Sequence, residues 1–95
     1  MIVAENIYVM LLVEKFFATF TDKPVADARL STEALVCLML DSREAVDRIV
    51  RAALAAGARP VRPPQDHGSI YGWGFEDLDG HIWEYGWMDP ATVPA

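Results

Sequence analysis

Glu84 is the residue in this chain best placed to do chemistry. It stands in mid-run in Ile82-Trp83-Glu84-Tyr85-Gly86-Trp87-Met88. A carboxylate among apolar and aromatic neighbours is unusual unless it is paired, protonated or bound to a metal. Held out of water, it would suit a general base. The plainer alternative is a strand glutamate that faces solvent or pairs with an arginine from a neighbouring element. Upstream, Tyr71, Trp73 and Phe75 alternate with Gly72 and Gly74, which is strand periodicity, and Asp77-Leu78-Asp79-Gly80 reads as the turn between two strands. A four-residue turn would set Glu76 opposite His81, Phe75 opposite Ile82, Gly74 opposite Trp83, Trp73 opposite Glu84, and Gly72 opposite Tyr85. In that register Glu84 shares a face with Tyr71, Trp73, Phe75 and Ile82, a ring-lined pocket holding one acid.

The remaining candidates are weaker. His67, in the loop Gln65-Asp66-His67-Gly68, reads either as a proton carrier on the pocket rim or as a loop-surface histidine. His81 and Glu84 are three apart, so in a strand they point to opposite faces and do not join His67 in a facial triad. Cys37, the single cysteine, excludes an internal disulfide. It lies in a continuous apolar run with no neighbouring base, which predicts a buried structural thiol. Ser69 lacks an elbow motif, and there is no phosphate loop or dinucleotide fingerprint.

The elements that must position these residues follow from periodicity. Residues 34–40 form an apolar run that reads as a buried strand. Asp41 or Ser42 can cap the helix that follows. Val46, Ile49, Val50, Ala53 and Leu54 recur at helical spacing, and Gly57 ends the helix. The segment 59–68 holds Pro60, Pro63 and Pro64, which confines it to an edge strand or a loop. Strands over 69–76 and 82–88 complete the order strand, helix, strand, strand, strand. Before this, 7–12 reads as a strand, 14–21 as a short helix carrying Phe16, Phe17 and Phe20, and 21–33 as a connector that joins two structural modules.

Composition sets outer limits. The chain has 95 residues, 53% of them apolar, one cysteine and a net charge of −6. This is one globular domain at most. The acidic balance argues against a phosphate-backbone partner. The longest uncharged apolar run, residues 6–13, is too short to span a bilayer, and no basic segment precedes an apolar one as in a secretory leader. The expected location is therefore cytoplasmic, with no nucleic-acid or membrane partner.

The stretch Phe75-Glu76-Asp77-Leu78-Asp79-Gly80-His81-Ile82-Trp83-Glu84, with the helix and strand order before it, resembles the closing hairpin of the vicinal oxygen chelate superfamily: the glyoxalases, bleomycin resistance proteins and extradiol dioxygenases. The resemblance implies an α+β fold. In it, one βαβββ module (34–90) follows a remnant and connector (6–33), which carry the final strand of a preceding module, in a cupped mixed sheet with one main helix. It also implies paired modules around a small-molecule site and, in the enzymes, one divalent metal (Zn, Ni, Mn or Fe) with Glu84 as a ligand. The other ligand positions fall near Ala34, with Glu33 adjacent, and near Tyr8 or Met10, neither of which fits the expected carboxylate, and the strand carrying the last one would precede Asn6. The absent part of the first module would leave 7–12 exposed, which makes a homodimer the expected repair.

Three functional readings follow. The first is a small-molecule-binding module without a complete metal site, its pocket lined by Tyr71, Trp73, Phe75, Ile82 and His67. The second is a metal-dependent lyase or dioxygenase-like enzyme with Glu84 as metal ligand and catalytic group. The third is a structural or interaction protein that uses its exposed sheet edge.

Overall fold

The computed structural model describes residues 1–92. Its centre is a mixed five-stranded sheet in the order β3-β7-β6-β4, with β5 also paired to β6. The elements are β3 (Val36–Met39), α2 (Arg43–Ala55), β4 (Arg59–Pro60), β5 (Gln65–Asp66), β6 (Ile70–Glu76) and β7 (Ile82–Met88). β3 runs parallel to β7, and every other pairing is antiparallel. The sheet is open, and the βαβββ order expected from the sequence is present. β4 and β5 are two pieces of one edge strand, interrupted at 61–64 where Pro63 and Pro64 cannot donate to the ladder.

α2 forms where expected, and Ser42 is its cap: the hydroxyl accepts from the Ala45 amide at 3.0 Å. Gly57, just past its end, has φ 110°, a conformation that favours glycine. The apolar face of the helix packs on β6 and β7. The core there is small. Val46 and Val50 are fully buried and meet Tyr71 and Tyr85, with Leu38, Leu40, Leu54, Trp73, Phe75, Trp83 and Trp87 partly buried around them. Tyr71 donates its hydroxyl to Asp47 on α2 at 2.5 Å. Burial, then this bond, pushes the phenol up to about 12. At the N-terminus of α2, Arg43 donates to Asp66 at 2.6 Å and to the Gly68 carbonyl, and its guanidinium stacks on Tyr71 and Trp87. This latch ties β5 and its loop to the helix.

The β6–β7 hairpin differs from expectation by one residue. Glu76 pairs with Ile82, Phe75 with Trp83, Gly74 with Glu84, Trp73 with Tyr85 and Gly72 with Gly86. The cause lies in the turn. Asp77 Oδ1 accepts from the amides of both Asp79 and His81, at 2.9 Å each. The Asp77 amide also bonds the His81 carbonyl, and Gly80 takes φ 94°. His81 is thus drawn into the loop. Because side chains alternate with period two, the slip turns the whole of β7 over relative to β6.

Asp77 also accepts from the Trp83 indole at 2.9 Å through Oδ2. Burial raises its carboxyl, but the Trp83, His81 and Asp79 donors outweigh this and hold it below the ordinary aspartate value. A depressed folded pKa contributes stability that is present above the unfolded value, about 3.9, and lost as pH falls below it. Asp77→Ala should cost about 2–3 kcal/mol, since it leaves a half-buried indole N–H unpaired and frees the turn. Urea unfolding at neutral pH checks the loss. Wild type should also lose stability on acidification more steeply than the variant, and parallel acid curves would refute the assignment.

The N-terminal part departs further from expectation. Only Ile7–Tyr8 (β2) of 7–12 is a strand. It pairs with β1 (Ile2–Ala4) in a separate two-stranded hairpin. α1 (Glu14–Phe17) leads into a 3₁₀ turn (Ala18–Phe20), and Phe16 meets Phe20 edge-on. No residue before Val46 is buried. Cys37, expected inside, is exposed. It lies on the uncovered face of β3, at the edge of the sheet, so an apolar sequence there does not amount to burial. Among the described residues, no helix is long and apolar enough to cross a membrane.

Candidate functional site

The sheet has one face covered by α2 and one left open. Tyr71, Trp73 and Phe75 of β6 now share the helix face with Trp83, Tyr85 and Trp87 of β7, and Phe75 stacks on Tyr85 with ring centroids 6.0 Å apart. The open face carries Gly72, Gly74 and Gly86, with Ile82 and Glu84. The set grouped by sequence reasoning is therefore divided. Glu84 and Ile82 line a hollow on the open side, and Trp73 reaches its wall, while Tyr71 and Phe75 belong to the helix-packed side. His67 stands exposed on the loop after β5, outside that lining.

The hollow has a volume of about 50 Å³, and Val61, Arg62, Gln65, Gly72 and Gly74 complete its walls. The two glycines make its floor. Over Gly72 no side chain fills the space above β6, while Gly74 lies directly under Glu84, which rises from β7. Arg62 enters from the 61–64 bridge between β4 and β5. Both flanking strands hold to β6, and the Gln65 amide donates to the Pro63 carbonyl at 3.0 Å, so the bridge is pinned. Its guanidinium Nη2 lies 3.6 Å from Glu84 Oε1. The pair is partly solvated, and such a pair contributes at most about 1 kcal/mol. Its weight is chemical: it neutralises the one acid of the hollow. The sequence reading allowed for an arginine partner without identifying it, because Arg62 is twenty-two residues away and only the interrupted edge strand brings it across.

Cys37 is the residue that sequence reasoning missed. In the parallel β3–β7 ladder it sits directly beside Glu84. Partial burial against β7, then the Glu84 charge, raises its thiol above the ordinary value, so it stays protonated and a poor nucleophile at neutral pH. Only knowledge of the β3–β7 register would have found this neighbour.

The donors present do not fit a divalent cation within one chain. Among the described residues, no group of three or more His, Cys, Asp or Glu side chains lies close enough to hold a metal ion, whereas such sites need three or four protein ligands. A second and much larger groove, about 740 Å³, opens between residues 11–17, the connector 25–29 and the hairpin turn, where Asp79 and His81 line it.

The comparisons agree with this architecture. A family model described as the Glyoxalase/Bleomycin resistance protein/Dioxygenase superfamily matches residues 5–85. A hypothetical protein from S. aureus superposes with a TM-score of 0.61 at 28% identity, over 75% of this chain and 54% of that one. A glyoxalase/bleomycin resistance protein/dioxygenase family enzyme from Burkholderia phytofirmans PsJN gives 0.55 at 23%, over 78% and 54%. A glyoxalase/bleomycin resistance protein/dioxygenase from Nocardioides gives 0.62 at 22%, over 85% and 55%. The chain thus spans about half the length of these solved structures. No curated protein matches it.

Proposed function

Because the chain belongs to the glyoxalase/bleomycin resistance protein/dioxygenase superfamily, we propose that it is a small-molecule-binding module of that superfamily, taking an aromatic or otherwise apolar ligand across the open sheet face beside Glu84. The observation that carries the reading is the bare floor at Gly72, set against a half-buried carboxylate over Gly74 that is already neutralised by Arg62. Glu84 then accepts a hydrogen bond from the ligand, Arg62 donates one, and Ile82 supplies apolar contact. The hollow holds about 50 Å³, while small-molecule pockets run from about 300 Å³ upward, so the ligand needs a second wall. A further βαβββ module would provide it.

The test is a thermal-shift panel of small aromatic and apolar metabolites. One compound should raise the unfolding midpoint in proportion to its concentration, and Glu84→Gln should weaken its binding about tenfold, the loss of one charge-assisted hydrogen bond. A panel without a single concentration-dependent shift would remove the reading.

The second reading, a metal-dependent lyase or dioxygenase-like enzyme, draws on Cys37 and Glu84 standing side by side as two donors that a second chain would have to complete. Metal analysis of protein purified without chelators separates the two. Near-stoichiometric Zn, Ni, Mn or Fe, lost in Glu84→Gln, would favour the enzyme.

A further inference from the structure

Arg62 and Glu84 attract one another without closing on one another. Their nearest nitrogen and oxygen are 3.6 Å apart, beyond hydrogen-bond range. Among the described residues, neither side chain forms a hydrogen bond anywhere else. The hollow therefore presents an open donor and an open acceptor side by side. Val61 and Ile82 flank them, and Gly72 leaves main chain as the floor.

This arrangement selects first by charge. A carboxylate entering the hollow meets Glu84, and an ammonium meets Arg62, so an ion of either sign is repelled by one member of the pair. A neutral ligand meets neither penalty. Selection by geometry comes second. A planar amide whose N–H and C=O lie on one edge, as in a lactam or a primary carboxamide, holds its nitrogen and oxygen about 2.3 Å apart by standard bond lengths. If each hydrogen bond is about 2.9 Å long, it leans outward by only about 13° to span the observed 3.6 Å. Conjugation keeps that edge flat and rigid, so no rotor is frozen on binding. The plane then rests on the backbone at Gly72, where a Cβ would meet nothing closer than 3.8 Å.

We infer that the hollow takes a neutral, planar amide edge, a lactam or primary carboxamide joined to an aromatic or apolar body. Its N–H donates to Glu84, its carbonyl accepts from Arg62, and its ring extends over Gly72 past Ile82. This rests on the binding reading and narrows that reading to one functional group.

The experiment titrates the full chain with three compounds of one shape. They are isocarbostyril (a bicyclic aromatic lactam), its N-methyl derivative, and isocoumarin, in which a ring oxygen replaces the N–H. The amide resonance of Gly72 and the unfolding midpoint report binding. Isocarbostyril should bind about ten- to a hundredfold more tightly than the other two, the value of one hydrogen bond to a charged group. That preference should disappear in Glu84→Met, and Arg62→Met should weaken all three, since each keeps the carbonyl. Should either variant fail to fold, the ranking of the three compounds on wild type decides alone. Equal binding of the three overturns the inference and leaves the binding reading standing on apolar contact. Tighter binding of phenylalanine, whose donor and acceptor are both charged, also overturns it. So does an aromatic panel in which other compounds bind and isocarbostyril does not. If no compound of either set binds, the inference and the binding reading fall together.

Discussion

Val46→Asp is expected to unfold the βαβββ module at room temperature. Val46 and Val50 are the only fully buried side chains among the described residues, and they join α2 to Tyr71 and Tyr85 of the sheet. A carboxylate at position 46 would be buried without a free cation. Arg43, one turn away, is already held by Asp66 and the Gly68 carbonyl. An uncompensated buried charge costs about 3–5 kcal/mol. A domain of this length has about 5–14 kcal/mol in all, and here half the chain contributes no buried residue. Val46→Ala removes only burial, about 1.5–3 kcal/mol, and should keep a cooperative transition at lower urea. Far-ultraviolet circular dichroism with urea titration reads both. A Val46→Asp protein with the wild-type midpoint would mean that α2 does not hold the sheet.

What could be read from the sequence divides along a physical line. α2 was legible because Val46, Ile49, Val50, Ala53 and Leu54 impose a helical period and Ser42 and Gly57 mark its ends. β6 and β7 were legible because Tyr71, Trp73 and Phe75 alternate with glycine. The strand order was legible for the same reasons. Register was not. It turned on the side chain of Asp77 taking two backbone amides, which adds His81 to the loop, and no periodicity reports that. The error was a single residue. Its consequence was large, since it moved Glu84 from a ring-lined face to a glycine-lined one and concealed Arg62 and Cys37 as its neighbours. The exposure of Cys37 was illegible for a different reason. An apolar run states that a segment needs cover, but the cover can belong to another chain.

The hollow depends on glycine at position 74, and Gly74→Val is expected to remove both the hollow and much of the hairpin's stability. A Cβ at this position would lie 2.4 Å from the Trp83 carbonyl oxygen, 3.2 Å from Glu84 Cα and 3.3 Å from Glu84 Cγ. The first of these is backbone of the paired strand, so no side-chain rotation relieves it, and β6 and β7 must move apart. Overpacking of this kind costs about 1–3 kcal/mol, which in a domain this small lowers the unfolding midpoint by about 10 °C. The two methyl groups of valine would also fill the space beside Glu84. Gly72 gives the contrast, because a Cβ there meets only the Tyr85 carbonyl oxygen, at 3.8 Å, an ordinary contact. Gly72→Ala should therefore weaken ligand binding by narrowing the same floor while leaving the midpoint within about 3 °C of wild type. Differential scanning fluorimetry with and without a panel compound separates the effects. If Gly72→Ala and Gly74→Val both bind as wild type does, the glycine floor is not the binding surface. If Gly74→Val also melts like wild type, the close approach of the two strands at Trp83 is not what position 74 must respect.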